Sequence, residues 1–314
     1  MINELIERAR SGDPRAVARL ITLVESDDPA LPEIAAALGP DSVKAVIVGI
    51  TGSPGVGKST TTNELVKALR RTGKRVGVLA VDPSSPFTGG AILGDRVRMQ
   101  DHATDPGVYI RSMSSRGHLG GLAAATPAAA RVLAGAGCDI VLVETVGVGQ
   151  AEVEIASLAD TTLVLLAPGM GDAIQAVKAG ILEIADIFVV NKSDRDGADA
   201  TVRDIQGMIA LGGSDRAPGQ WRPRVLKTTA SRGEGIDAVV EALEEHRRWL
   251  DQSGELERRR RHRAASEIEA LALGQLRARF SELPGADLET LAAEVAEGRL
   301  DPYAASTRLV EQIS

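Results

Sequence analysis

The segment Gly52, Ser53, Pro54, Gly55, Val56, Gly57, Lys58, Ser59 and Thr60 fits the pattern G-x-x-x-x-G-K-[ST]. The chemistry this allows is polyphosphate binding. Glycines let the backbone turn so that successive N–H groups point inward, and a helix starting at Lys58 would add its positive end to that nest. Lys58 supplies a point charge for β- and γ-phosphates, and the Ser59 hydroxyl is a hard ligand suited to Mg²⁺. The apolar run from Ala45 to Ile50 just before the loop reads as a buried strand, the context such a loop needs.

A second constellation lies at Asn191, Lys192 and Asp194, with the spacing N-K-x-D at the end of the apolar run DIFVV. A carboxylate at Asp194 can accept both the N1–H and the exocyclic amino hydrogens of guanine, whereas adenine offers no such donor pair. Two charge-assisted hydrogen bonds at about 1.5–3 kcal/mol each would give strong discrimination. Asn191 is expected to tether loops, and Lys192 to lay its stem along the base. After the later run RVLKTT, a backbone N–H of Thr229, Ala230 or Ser231 could meet the guanine O6. GTP or GDP is the ligand these residues imply.

Between the two lies DIVLVETVGVGQ. Glu144 closes its strand, where an acid can orient Mg²⁺ or hold one of its waters, and Gly147 can offer its N–H to a γ-phosphate. The arrangement departs from D-x-x-G by using the longer Glu, which leaves direct and water-mediated ligation both open. Asp82 closes the run RVGVLAVD and Asp95 follows in LGDRVRM; either could instead cap a helix or close a turn. Ser59, Asp82, Asp95 and Glu144 are the candidate metal-side ligands, and Lys58, Asp82 and Glu144 the candidate catalytic groups. Gln150 or Asp82 could orient the attacking water, and Arg116 could answer developing charge. His102, His118, His246 and His262 have no metal-ligand spacing and are expected at the surface or in loops.

These residues require a framework. From Lys44 to about Leu250, the β-rich runs AVIVGIT, RVGVLAVD, VYIRSM, DIVLVET, TTLVLLA, DIFVVNK and RVLKTT alternate with helical stretches. The alternation predicts a three-layer α/β fold of the P-loop NTPase kind, with a mostly parallel sheet and ligands at the strands' C-terminal ends. Residues 1–42 read as a helical N-terminal extension. Leu5, Ile6 and Ala9 share a face, and Asp13 with Pro14 signals a helix start. Residues 43–250 form the expected GTPase domain. Residues 251–314 turn helical throughout, with the charged run Arg258 to Arg263 read as a solvated face. Helices with so little of their own to pack against suggest docking on the core or a homodimer.

Across 314 residues, 44% hydrophobic content supports a full core, but 2% aromatics means that Ala, Val, Leu and Ile must build it. A net charge of −7 argues against nucleic-acid binding. The absence of an 18-residue apolar run or a secretion-type N-terminus points to a cytoplasmic protein without a membrane span. Cys138, the single cysteine, reads as a small buried hydrophobe.

Taken in order, the phosphate loop, VDPSSPFTGGAILGDRVRM, RGHLGGL, ETVGVGQ and NKSD closely resemble the MeaB family of G proteins, whose bacterial members include proteins called ArgK or LAO/AO transport ATPases. The resemblance spans nearly the whole chain. It implies a P-loop GTPase, akin to signal-recognition and nickel-insertion GTPases, that dimerises through C-terminal helices. It further implies a partner, adenosylcobalamin-dependent methylmalonyl-CoA mutase, which the GTPase loads with intact cofactor and protects or rescues from inactivation. By motif match, Lys58 and Ser59 would serve phosphate and Mg²⁺, Asp82, Asp95 and Glu144 would be the metal-side acids, and Asp194 would read guanine. The chain lacks D-x-H-x-x-G, so cobalamin would belong to the partner. A nickel metallochaperone of similar core would need more His or Cys ligands, and an ATP-driven transport module conflicts with NKSD. An interaction protein that merely binds nucleotide, or a nucleotide-binding partner of another acyl-CoA mutase or transport system, is a further reading.

Overall fold

Each β-rich run becomes a strand of one 7-stranded sheet in the computed structural model of the chain. The described residues are 2–82, 100–102, 104–114, 125–145, 151–169, 182–212, 219–282 and 285–311. The strands are β1 (Val46–Thr51), β2 (Val76–Asp82), β3 (Val108–Ser114), β4 (Ile140–Thr145), β5 (Thr161–Leu166), β6 (Ile187–Val190) and β7 (Arg224–Lys227). Their order is β3-β2-β4-β1-β5-β6-β7, and every pairing is parallel. Strands covered on both faces need continuous apolar runs, which is why β4, β5 and β6 are buried along their whole length while edge strand β7 is not. β1 is central. The chain spreads from it to β4, β2 and β3 on one side and to β5, β6 and β7 on the other, which opens a crevice at the strands' carboxyl ends.

The helices are α1 (Ile2–Arg10), α2 (Pro14–Glu25), α3 (Leu31–Ser42), α4 (Lys58–Arg71), α5 (Thr126–Gly135), α6 (Ala151–Leu158), α7 (Ala198–Gly212), α8 (Ile236–Ser253), α9 (Glu255–Glu282), α10 (Gly285–Ala296) and α11 (Pro302–Glu311). Asp13 caps α2 as its sequence suggests, accepting the Arg15 N–H at 2.9 Å, with Pro14 in the first turn. Alternate residues of each strand feed opposite layers. On one face, Leu79, Val81, Val141 and Val143 pack with Leu133 of α5 and with Ile6, Leu20 and Ile21 of the N-terminal helices. On the other, Ile50, Ile140 and Leu142 meet Leu65 and Leu69 of α4 and Leu243 of α8. Phe188 and Val190 pack beside Ile205 of α7. Each fully buried Leu or Ile contributes about 1.5–3 kcal/mol, so an aliphatic core suffices without many rings.

Two histidines correct the sequence reading. His102 is buried and His246 is completely so, rather than lying at the surface. His246 extends the apolar stripe of α8 formed by Val239, Leu243 and Leu250. Its Nδ1 lies 2.9 Å from Thr161 Oγ1, its Nε2 lies 3.4 Å from Asp186 Oδ1, and the rings of Trp221 and Trp249 flank it. Cys138 is buried as expected, and burial pushes its thiol up to about 12.

The chain divides into two compact units, Met1–Leu256 and Glu257–Ser314. In the second, α10 and α11 pair through Arg308 and Glu294 at 3.7 Å. None of the described side chains of α11 is buried. Ile268, Leu271, Leu273 and Leu276 of α9 are between 42% and 68% exposed.

Candidate nucleotide site

The loop after β1 is shaped by glycines whose backbone conformations residues with side chains rarely adopt. Gly52, Gly55 and Gly57 have φ values of 140°, 79° and 96°. A Cβ on Gly52 would fall 2.2 Å from the Leu165 carbonyl oxygen, and one on Gly57 would fall 2.4 Å from Asn191 Nδ2. Val56 inserts into the core and pins the loop from below, while Pro54, Gly55 and Thr60 face solvent. Lys58 opens α4 and is nearly buried; its Nζ donates to the carbonyls of Gly52 at 2.7 Å and Ser53 at 3.1 Å. The ammonium therefore already curls back over the loop.

Glu144 sits on β4 between Ile50 of β1 and Ala80 of β2 and is 4% exposed. A buried carboxylate is costly without partners. Here the Ser59 hydroxyl donates to Oε1 at 2.7 Å and the Thr62 hydroxyl lies 2.9 Å from Oε2. The Ser59 and Glu144 oxygens form a hard donor set at the start of a helix, which fits Mg²⁺ and not a thiolate-seeking metal. Asp82 ends β2 one residue beyond Val81, which pairs with Thr145, so the backbone brings it to the same sheet edge. Asp95 and Gly147, with Gln150 and Arg116, lie outside the described residues. Among the described residues, no group of three or more His, Cys, Asp or Glu is arranged to hold a metal.

The second constellation meets the first. Asn191 follows β6, is 2% exposed, and donates from Nδ2 to the Val56 carbonyl at 2.8 Å. Its Oδ1 accepts from the Thr228 hydroxyl at 3.1 Å and the Ala230 N–H at 3.0 Å. One amide thus ties together the loops after β1, β6 and β7, the tethering its sequence position suggests. Lys192 adopts φ of 57°, rare for a residue with a side chain, and donates from Nζ to the Gly55 carbonyl at 2.6 Å. Asp194 remains 37% exposed, with Arg232 Nη2 at 3.8 Å from its Oδ2. Of the three N–H groups named for the guanine O6, that of Thr229 donates to Glu234 O at 3.0 Å and that of Ala230 is taken by Asn191. Ser231, the next residue, lies exposed. Sequence reasoning missed Thr228, Thr62 and Arg232. Only Thr62 carried a signal, one helical turn after Ser59.

Residues 17–284 match the profile of the family described as "Methylmalonyl Co-A mutase-associated GTPase MeaB". A Pyrococcus abyssi protein whose name ascribes GTPase activity is 48% identical over 314 residues, covering 100% of this chain and 97% of that protein. The "Methylmalonic aciduria type A homolog, mitochondrial" of Caenorhabditis elegans is 38% identical over 279 residues, which are 82% of this chain and 69% of that one. The crystal structure of a LAO/AO transport system kinase aligns with a TM-score of 0.72 at 29% identity, covering 99% of this chain and 97% of its own. Likeness in sequence along most of the chain, and in fold along nearly all of it, leads to one conclusion: the chain belongs to the MeaB family of GTPases, binds guanine nucleotide and hydrolyses GTP.

Proposed function

We propose that this GTPase serves an adenosylcobalamin-dependent methylmalonyl-CoA mutase, gating the loading of its cofactor and protecting or reactivating the enzyme. The observation that carries this reading is the family match over residues 17–284, whose description names association with that mutase. The name of the worm relative points to the same metabolism. The work is cytoplasmic, and no described helix is long and apolar enough to cross a membrane.

In this reading residues 43–250 are the GTPase domain, and 1–42 and 251–314 are helical additions. The loop Gly52 to Thr60 wraps the phosphates, and Lys58 exchanges its carbonyl partners for phosphate oxygens. Ser59, Glu144, Asp82 and Asp95 would hold Mg²⁺, which would supply charge neutralisation for the phosphates. Gly147 offers its N–H to the γ-phosphate. Asp194 reads N1–H and the amino group of guanine, Lys192 lies along the base, and the segment Thr229, Ala230 and Ser231 faces O6, with Ser231 best placed because the other two N–H groups are engaged. Asn191 makes base and phosphate binding cooperative through its hold on Val56 and Ala230.

The exposed apolar residues Ile268, Leu271 and Leu276 of α9 are the surface through which we expect two copies to pair. GTP turnover measured with and without purified methylmalonyl-CoA mutase tests the client. A complex and a changed rate are expected; no binding together with an unchanged rate would leave a GTPase serving another client.

A further inference from the structure

Thr62 is buried on the first turns of α4 and lies 82 positions from Glu144 in sequence, yet its Oγ1 stands 2.9 Å from Glu144 Oε2. Ser59, three residues earlier on the same helix face, donates to the other oxygen, Oε1, at 2.7 Å. The two hydroxyls grip one carboxylate at both ends. Thr62 is also within 3.0 Å of the Lys58 carbonyl, the back-bond typical of a helical Thr, so its single proton has two acceptors in reach. The charged acceptor makes the stronger bond, so the proton belongs to Glu144.

We propose that Thr62 is a positioning residue for the metal side of the site. It fixes the plane of the Glu144 carboxylate and leaves Oε1, beside Ser59, as the oxygen turned toward Mg²⁺. A glutamate needs such a grip more than an aspartate would. Its extra methylene adds a rotatable bond, and an unanchored carboxylate would sample positions that neither bind metal nor remain paired. Threonine suits the task because its branched Cβ limits χ1 in a helix to two rotamers, and the one observed keeps the hydroxyl within reach of both the Lys58 carbonyl and Glu144. Serine would make the same bond with more freedom, and valine would keep the shape and lose the bond. Lys58 Nζ and Asn191 Nδ2, by contrast, donate to backbone carbonyls of the loop.

The inference rests on the assignment of Ser59 and Glu144 to Mg²⁺. Its test is the Mg²⁺ dependence of GDP binding by the full chain, read by calorimetry with Mg²⁺ and again in EDTA, for the parent, Thr62→Val and Thr62→Ser. Thr62→Val should raise the Mg²⁺ concentration needed for tight GDP binding by about 10-fold, as loss of an outer-shell hydrogen bond does. GDP affinity in EDTA should stay unchanged, and Thr62→Ser should restore most of the Mg²⁺ response. Should valine unfold the chain, Thr62→Ala is read in the same way, with thermal melting to confirm folding. A parent-like Mg²⁺ response in the folded Val or Ala variant would overturn the role of Thr62 while leaving the metal assignment intact. A parent whose GDP affinity ignores Mg²⁺ would overturn the metal assignment, and the inference with it.

Discussion

The two units of the chain treat apolar residues in opposite ways. In Met1–Leu256, strands and helices bury Leu20, Leu65, Leu79 and Phe188 almost completely, and the loops at the sheet's carboxyl edge are cross-tied by Asn191, Lys192 and Glu144. In Glu257–Ser314, Leu271, Leu288, Tyr303 and Val310 stand between 49% and 84% exposed, and Leu291 is buried only to 9% exposure. A self-sufficient core can hold loops rigidly enough for chemistry. Helices that leave their apolar residues uncovered are suited to covering them with a second surface. The contrast therefore separates a part specified by internal packing and polar ties from a part that leaves most of its large apolar side chains uncovered.

Substitutions sharpen this contrast in order of expected size. Lys58→Ala should lower GTP turnover by at least about 100-fold, the cost of removing one preorganised charge from a phosphoryl-transfer site, while melting changes little. Turnover at the parent rate would move the active site elsewhere. Asn191→Ala leaves the Val56 carbonyl and the Ala230 N–H without their partner. An unpaired buried group costs about 1–3 kcal/mol, so both unfolding stability and GDP affinity should fall together in denaturant titration and calorimetry. If only affinity fell, the tie would be local to the ligand.

The second unit should respond differently. Ile268→Asp combined with Leu271→Asp should convert a dimer to a monomer in sedimentation, with GDP affinity of the first unit retained. A dimer that persists would remove the α9 surface from the interface. The smallest effect belongs to Cys138, whose thiol is pushed from 9.0 up to about 12 by burial. Through that window the unfolded chain loses a proton that the native chain keeps, so stability should decline as pH rises. At neutral pH the thiol should resist alkylation until the chain is unfolded, which labelling with iodoacetamide measures.

Much of this organisation was legible in the residues. The seven β-rich runs each contain one strand because parallel strands covered on both faces leave an unbroken Val, Ile and Leu signature. Lys58, Asn191 and Asp194 stand out as site candidates because their types and spacing have few other uses. Thr62 was not, since a threonine inside a helix looks ordinary until a carboxylate from β4 is brought to it by sheet pairing. The engagement of the Ala230 N–H by Asn191 was hidden for the same reason. His246 is different. It stands three residues after Leu243 and seven after Val239, so the helical stripe already marked it as inward, and its polarity drew the reading to the surface.

The site assignment turns on Asp194 reading guanine, and a single exchange inverts the chemistry it offers. Asparagine at 194 presents an amide N–H where the carboxylate presented oxygen, which suits the C2 carbonyl of xanthine in place of the C2 amino group of guanine. Calorimetry of Asp194→Asn with GDP and with xanthosine diphosphate is the direct measurement. GDP affinity should fall by about 100-fold, the value of one to two charge-assisted hydrogen bonds, and xanthosine diphosphate should become the preferred ligand. Unchanged GDP affinity with no gain for xanthosine diphosphate would contradict the assignment.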